Sequence, residues 1–314
     1  MLSVEHRCNT GLFRIGKHLS SWSIAYFYIV KVVEFIDPQH YAKGYVLKNP
    51  DPLLNRYVDF IHLQQLNCLY PGAFIDETCF ASFGFNLLFP VRGHCTVLIN
   101  NKRYAIRSAA FVPRHSVIKT LQGSNDVMLG FKCKLNLFRE RTMVELMRNQ
   151  APVDLRDLLP VELVTRLEKI DPVEEKIKAV ETVLLDVMDG SKAQRTSSHV
   201  DEALQMVASY FNRGLTIRQL SKELFVSQKS LTRYFLQHTG ITPKEVFTTM
   251  RFRKALRLYL ADPECFDLSH FGYFDHSHFY KEVKAYTGWY PRQLFNMAVQ
   301  QHCPDAVAIG ARTI

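Results

Sequence analysis

Cysteine is sparse in this chain: seven residues (8, 68, 79, 95, 133, 265, 303) are scattered over 314 positions, and no two stand in a CxxC pair. An odd, dispersed set argues against a disulfide framework and fits reduced thiols in a cytosol. Long apolar runs are also missing. The most membrane-like stretch, Trp22 to Ile36, is 15 residues interrupted by Lys31 and Glu34, whereas a spanning helix needs about 20. It reads as a strand, an amphipathic segment or an extension. No GxSxG, P-loop, HExxH or GxGxxG occurs, so no enzyme is spelled out. Acidic residues are the minority charge, 30 against 39 Lys and Arg, with an isoelectric point near 9.1. That balance favours an anionic partner.

What the chain does contain is a repeat. GITPKEVF at Gly240 to Phe247 returns 48 residues later as GWYPRQLF at Gly288 to Phe295. Reading backwards, Leu220 and Ser221 recur as Leu268 and Ser269, Leu231 as Phe279, Arg233 as Lys281 and Phe235 as Val283. A duplicated unit with a cation at one fixed place suits a periodic polyanion such as duplex DNA. The charge is concentrated in the first copy. Between Arg213 and Arg257, ten cations face two anions, Glu223 and Glu245, a net +8 in 45 residues.

Upstream, residues 50 to 138 are strand-like, with short apolar or alternating runs at 79–89, 95–99, 109–112 and 127–135 punctuated by Pro, Gly and Asn. The spacing predicts an antiparallel barrel or sandwich. Asn100-Asn101 predicts a two-residue hairpin turn, because Asn tolerates the positive φ such turns require. Beyond Phe138 the apolar period becomes three and four (Leu163, Leu167, Ile170; Ile177, Val180, Val183, Leu184, Val187), which is helical. DGSKAQRTSS, Asp189 to Ser198, has no apolar period and reads as a linker.

The remainder reads as helices. Ala203 to Phe211 is a first. Thr216 caps a second through Leu224, and Ser227 caps a third, Gln228 to His238, which Gly240 ends. Two short helices parted by Phe225 and Val226 form a helix-turn-helix pattern. Pro243 opens a long helix to about Leu260; then come Leu268 to Phe271, a turn, a helix from His276 to Tyr286 and a last from Pro291. On the third helix Leu231, Tyr234 and Phe235 share a core face, while Gln228, Lys229, Thr232, Arg233 and Gln237 project from the other. In a major groove Arg pairs with guanine and Gln with adenine, and Lys and Thr reach bases or phosphates. The linking-helix cations Arg251, Arg253 and Lys254 are expected to hold phosphates.

The segments LTIRQLSKELFVSQKSLTRYFLQHTGITPKEVF, RFRKAL and GYFDHSHFYKEVKAYTGWYPRQLF resemble the AraC/XylS family of transcription regulators over Val200 to Met297. The resemblance implies two helix-turn-helix units joined by a long helix. It places base reading on Lys229, Thr232 and Arg233 in the first unit, and on His276, Ser277, Tyr280 and Lys281 in the second. DLSHFGYFD has two residues between Ser269 and Gly272 where the family has three, and Lys281 stands where Arg is common, trading a bidentate contact for a point charge. The second unit is therefore expected to favour phosphate contacts over base reading.

PDPLLNRYVDFI, FGFNLLF and PVDLRDLLP more loosely resemble the family's cupin-like amino-terminal domains, which sense small molecules or dimerise. The expected fold is α+β: an N-terminal antiparallel β-barrel with packing helices, then an all-α tandem helix-turn-helix domain. The expected division is an extension at 1–45, a barrel domain at 46–190, a linker at 191–198, the DNA-binding domain at 199–299 and a tail at 300–314. Implied partners are double-stranded DNA, RNA polymerase and a small-molecule effector, in a cytoplasmic monomer or homodimer.

No cofactor, metal or membrane is expected. His270, Asp275, His276 and His278 are interleaved with Phe271, Phe274 and Phe279 as core residues, which disfavours a zinc site there. Arg92, Arg103, Arg107 and Arg114 form a candidate pocket for an anionic effector. The rival reading is a small-molecule-binding barrel or enzyme whose helical tail only oligomerises.

Overall fold

The computed structural model describes residues 29–34, 43–67, 69–138, 142–147, 150–188, 193–209 and 216–302. The strands among them are β1 (Ile29–Val33), β2 (Tyr45–Lys48), β3 (Val58–Gln65), β4 (Phe74–Cys79), β5 (Phe85–Arg92), β6 (Cys95–Ile99), β7 (Lys102–Ile106), β8 (Ala110–Pro113), β9 (Ile118–Gly123), β10 (Val127–Cys133) and β11 (Val153–Asp154). They make two sheets, of order β1-β4-β9-β6-β7 and β11-β8-β5-β10-β3-β2. The expected closed barrel is thus a two-sheet arrangement, with β1, β7, β11 and β2 left as edges among the described residues. Nor is it wholly antiparallel: β1 runs parallel to β4, Ile29 opposite Phe74. Chain between them enters the other sheet as β2 and β3, so the pair is joined by a crossover instead of a hairpin.

The local rules hold where they can. Asn100 and Asn101 carry φ of +50° and +63°, joining β6 to β7 with Ile99 opposite Lys102. Every residue of β10 is buried, as expected of a mostly apolar strand flanked by β5 and β3; its one charged residue, Lys132, donates to Ser82 Oγ at 3.2 Å. Leu129, Phe131 and Cys133 point into the largest core and Met128 into the core between the sheets.

Among the described residues the α-helices are α1 (Met143–Met147), α2 (Val161–Lys169), α3 (Val173–Met188), α4 (Ala193–Ser209), α5 (Ile217–Glu223), α6 (Gln228–Thr239), α7 (Pro243–Ala261), α8 (His276–Thr287) and α9 (Pro291–His302). The expected linker is already helix from Ala193 on. Ser197 is fully buried, its Oγ 2.8 Å from the Tyr57 hydroxyl, and Thr196 Oγ1 lies 2.8 Å from His238 Nε2. A polar stretch can sit inside when each hydroxyl finds a partner. Positions 189–192 of that stretch, the chain before Ile29 and the tail beyond His302 lie outside the described residues.

Two apolar cores organise the helices. The largest runs from Phe85, Phe111 and Phe131 of the six-stranded sheet through Val164, Val180 and Leu184 to Leu204, Leu220, Leu231, Phe235 and Val246. The second joins Phe252, Ala255 and Leu256 of α7 to Phe271, Phe279, Val283 and Leu294, and it includes Val33 and Phe80 from the strand-rich domain. Helix α7 therefore contributes to both.

A buried ion cluster ties α7 to β1 and β4. Arg253 donates to Glu34 Oε1, and also to the carbonyl of Ala81 at 3.0 Å. Glu34 Oε2 accepts from the Phe80 N–H at 2.6 Å and lies 3.4 Å from Arg114, which also donates to Phe80 O at 3.1 Å. Burial opposes ionisation of Glu34 and is the largest single influence. Arg253 and Arg114, with the hydrogen bonds, outweigh it and hold the carboxyl below 4.5.

Glu34→Ala leaves two guanidinium groups without their carboxylate and should cost about 3–5 kcal/mol in chemical denaturation. With the folded-state pKa depressed, the ionised carboxylate stabilises the fold above pH 4.5, and this is lost as pH falls through the folded-state value. The gap in melting temperature between wild type and Glu34→Gln should accordingly close on acidification below pH 4.5.

Candidate nucleic-acid interface

The first unit is built by local signals that agree with one another. Thr216 and Gln219 form a reciprocal capping box at α5, Thr216 Oγ1 accepting from the Gln219 N–H at 3.2 Å. Ser227 Oγ accepts from the Ser230 N–H at 3.0 Å and starts α6, and Gly240 ends it in the left-handed region at φ +78°. Leu231 and Phe235 are wholly buried and Tyr234 half-buried. On the opposite side Gln228, Lys229 and Arg233 are exposed, and Thr232 and Gln237 half-buried. The Arg233 guanidinium lies 5.4 Å from the centre of the Tyr234 ring. All five of the expected α6 residues therefore retain access to solvent.

The end of α6 is gripped by the strand-rich domain. The Asn136 N–H donates to His238 O at 2.9 Å. His238 is buried, which drives its pKa down to about 4 and keeps the ring neutral.

In the second unit the helix equivalent to α5 is a single 3-10 turn, Leu268–Phe271, closed by Gly272 at φ +65°. This is the structural form of the shortened segment. Asp275 caps α8 by accepting from the His278 N–H at 2.7 Å. His276, Ser277 and Lys281 are exposed. Tyr280 is half-buried and hydrogen-bonds Tyr259, whose hydroxyl is pushed up to about 12, first by burial and then by that bond. Tyr280 is thus held partly inside the second core.

Two of the three linker cations turn inward. Arg251 donates to Glu282 Oε2 at 2.7 Å and lies 4.7 Å over the Tyr273 ring, while Arg253 is committed to Glu34. Lys254 is exposed. Sequence reasoning missed both acidic partners. Glu282 sits on the same repeat, but Glu34 is 219 residues from Arg253, and only its isolation in the apolar run VVEFI marked it.

Other expectations separate in the same way. Phe274 is an exposed ring, not a core residue, because Tyr273 fills the adjoining buried place with its hydroxyl donating to Glu282 at 2.7 Å. His270 lies 3.5 Å from Asp267 and His278 3.9 Å from Glu282. Among the described residues no three His, Cys, Asp or Glu converge as metal ligands. Arg114 is buried against Glu34, Arg92 donates to Asn125 O at 2.6 Å, and Arg103 and Arg107 are exposed. These four do not make a common pocket.

Residues 220–297 match the family model described as a helix-turn-helix domain. The chain carries a helix-turn-helix domain. Solved structures of ToxT from Vibrio cholerae are similar to much of the chain. One, from O395, is 12% identical, covers 82% of this chain and 98% of that one, and has a TM-score of 0.40. Another, described as bound to an unsaturated fatty acid, is 11% identical over 71% and 95%, at 0.34. The AraC-like transcriptional activator CuxR is 12% identical over 69% and 88%, at 0.24. The assignment rests on the matched segment. No curated protein matches the chain.

The C-terminal ends of α6 and α8 offer an internal comparison. A Cβ on Gly240 would meet Met143 O at 3.1 Å, Met147 Cγ at 3.2 Å and His115 Cε1 at 3.3 Å, whereas one on Gly288, at φ +86°, meets nothing within 4 Å. Both Gly→Ala changes force a side chain into the left-handed region, about 1–2 kcal/mol. Only Gly240→Ala adds crowding against the strand-rich domain, a further cost of about 1–3 kcal/mol. Urea unfolding should rank Gly240→Ala below Gly288→Ala in stability.

Proposed function

We propose that this protein is a sequence-specific transcription regulator in which α6 and α8 enter successive major-groove segments, about 34 Å apart on one face of duplex DNA. The single observation that carries this is the pair of capped helices, α6 and α8, each with a buried apolar side and an exposed polar one, bracketing one helix, α7. Lys229, Thr232 and Arg233 are the base readers of the first unit, flanked by Gln228 and Gln237. The Arg233 fork suits guanine O6 and N7. His276, Ser277 and Lys281 serve the second unit chiefly at phosphates, with Tyr280 limited by its bond to Tyr259. Among the linker cations Lys254 is the phosphate contact; Arg251 and Arg253 hold the two units in place.

The protein acts by binding, without catalysis, in the cytoplasm, on promoter DNA within reach of RNA polymerase, as a monomer or homodimer. Among the described residues no helix is long and apolar enough to cross a membrane. The strand-rich domain is the place for a small-molecule signal. Its sheet shares one continuous core with α4, α5 and α6, so repacking there would reach the first unit directly.

Gel shifts with the full chain test this, since α5 and α6 complete their core only with the sheet. Binding should weaken steeply with salt as phosphate counterions are regained. Arg233→Ala should cost roughly 1–3 kcal/mol at a selected site and relax base preference there. An equal loss on random DNA would reassign Arg233 to a phosphate.

A further inference from the structure

The two most exposed large apolar side chains among the described residues are Phe225 and Phe274, at 95% and 94% exposure. Each stands in the turn that leads into a recognition helix: Phe225 two residues before the N-cap Ser227, and Phe274 one before the N-cap Asp275. In the 48-residue register Phe225 aligns with Tyr273, and Val226 with Phe274. Simple duplication therefore does not account for the pair: the two units reach the same placement through different positions.

Neither ring is free to fold inward. The Phe225 N–H donates to Lys222 O at 3.0 Å and the Val226 N–H to Ser221 O at 2.9 Å, while Leu224 fills the buried place beside them. Phe225 itself sits at φ +53°. That conformation is uncommon for a bulky side chain and costs nothing to glycine. A strained, solvated phenyl ring is a poor choice for a turn with no further task. Around Phe274, Gly272 turns the chain, Tyr273 is buried and anchored on Glu282, and Asp275 caps α8.

The surroundings indicate the partner. A recognition helix contacts base edges with its N-terminal residues while the preceding helix crosses the backbone, so the turn between them faces the wall of the groove. That wall offers apolar surface in the deoxyribose rings and the thymine methyl groups. Exposed Lys222 and Lys229 flank Phe225, and His276 and Lys281 follow Phe274. A cationic rim around an apolar tip complements a polyanion with apolar sugars. We propose that Phe225 and Phe274 are apolar DNA contacts, one at the mouth of each recognition helix, packing on deoxyribose and thymine methyl groups. The assignment rests on α6 and α8 being the recognition helices.

The test uses the full chain and a duplex obtained by binding-site selection with the wild type. Phe225→Ser and Phe274→Ser should each weaken binding about tenfold, from the burial of one phenyl ring. The slope of affinity against salt should stay unchanged, because no cation is removed. Melting temperatures should hold, and Phe225→Gly should raise its own by relieving the positive φ. Replacing dT by dU in the site separates the two sources of apolar surface. A loss seen in wild type but not in the Ser variants assigns the methyl groups; an equal response assigns the sugars. A double variant that binds within about twofold of wild type, while Arg233→Ala still loses affinity, overturns the proposal. So does lost promoter activation with undiminished DNA affinity, which assigns the rings to a protein partner. A wild type that selects no sequence overturns the reading of α6 and α8, and the proposal with it.

Discussion

Helix α7 is the member on which the arrangement depends, because it is buried in two cores at once. Val246 near its start closes the core that begins in the six-stranded sheet, and Phe252, Ala255 and Leu256 form the floor of the second unit. The capping box of Thr242 and Glu245 and the Pro at the first helical position set where α7 starts. From there a rigid rise of about 1.5 Å per residue sets the separation of α6 and α8. Glu34 then pins the helix at its middle through Arg253. A buried carboxylate with two guanidinium partners tolerates little displacement, since each group left alone would carry the full cost of desolvation. The strand-rich domain is thereby mechanically continuous with both DNA-facing units.

This use of charge changes the meaning of the basic first repeat. A net +8 over Arg213 to Arg257 reads as a uniform electrostatic footprint, yet the cations have divided tasks. Lys229 and Arg233 point to solvent. Arg251 stacks on Tyr273 and bonds Glu282, stitching α7 to α8, and Arg253 stitches α7 to β1. Guanidinium groups suit such joints, being planar, always charged and able to bind several acceptors at once.

How much of this was legible depended on the range of the interaction. The caps Thr216 and Ser227, the left-handed Gly240 and the paired Asn100-Asn101 all act within a few residues, and their positions were readable. Ala193 to Ser198, read as linker, is helical, and the hydroxyls of Thr196 and Ser197 are satisfied by His238 and Tyr57, distant partners that composition does not reveal. Phe274 looked like core because aromatics usually are; only the packing of its neighbour Tyr273 turned it outward. The candidate base readers were readable as one face of α6. That Tyr280 is tethered to Tyr259, and that Arg251 and Arg253 are drawn inward, was not.

The amino-acid sequence by itself determined the helical type of the C-terminal elements, the caps at Thr216, Ser227 and Gly240, the hairpin turn, the duplication and the polar faces of α6 and α8. These follow from caps, backbone preference and apolar period, which are local. Tertiary structure decided the two-sheet arrangement with β1 parallel to β4, the merging of sheet and first unit into one core, and which cations face solvent. Those outcomes hang on contacts between residues far apart in the chain, such as Glu34 and Arg253, where burial and charge compensation are settled only once the whole molecule has closed.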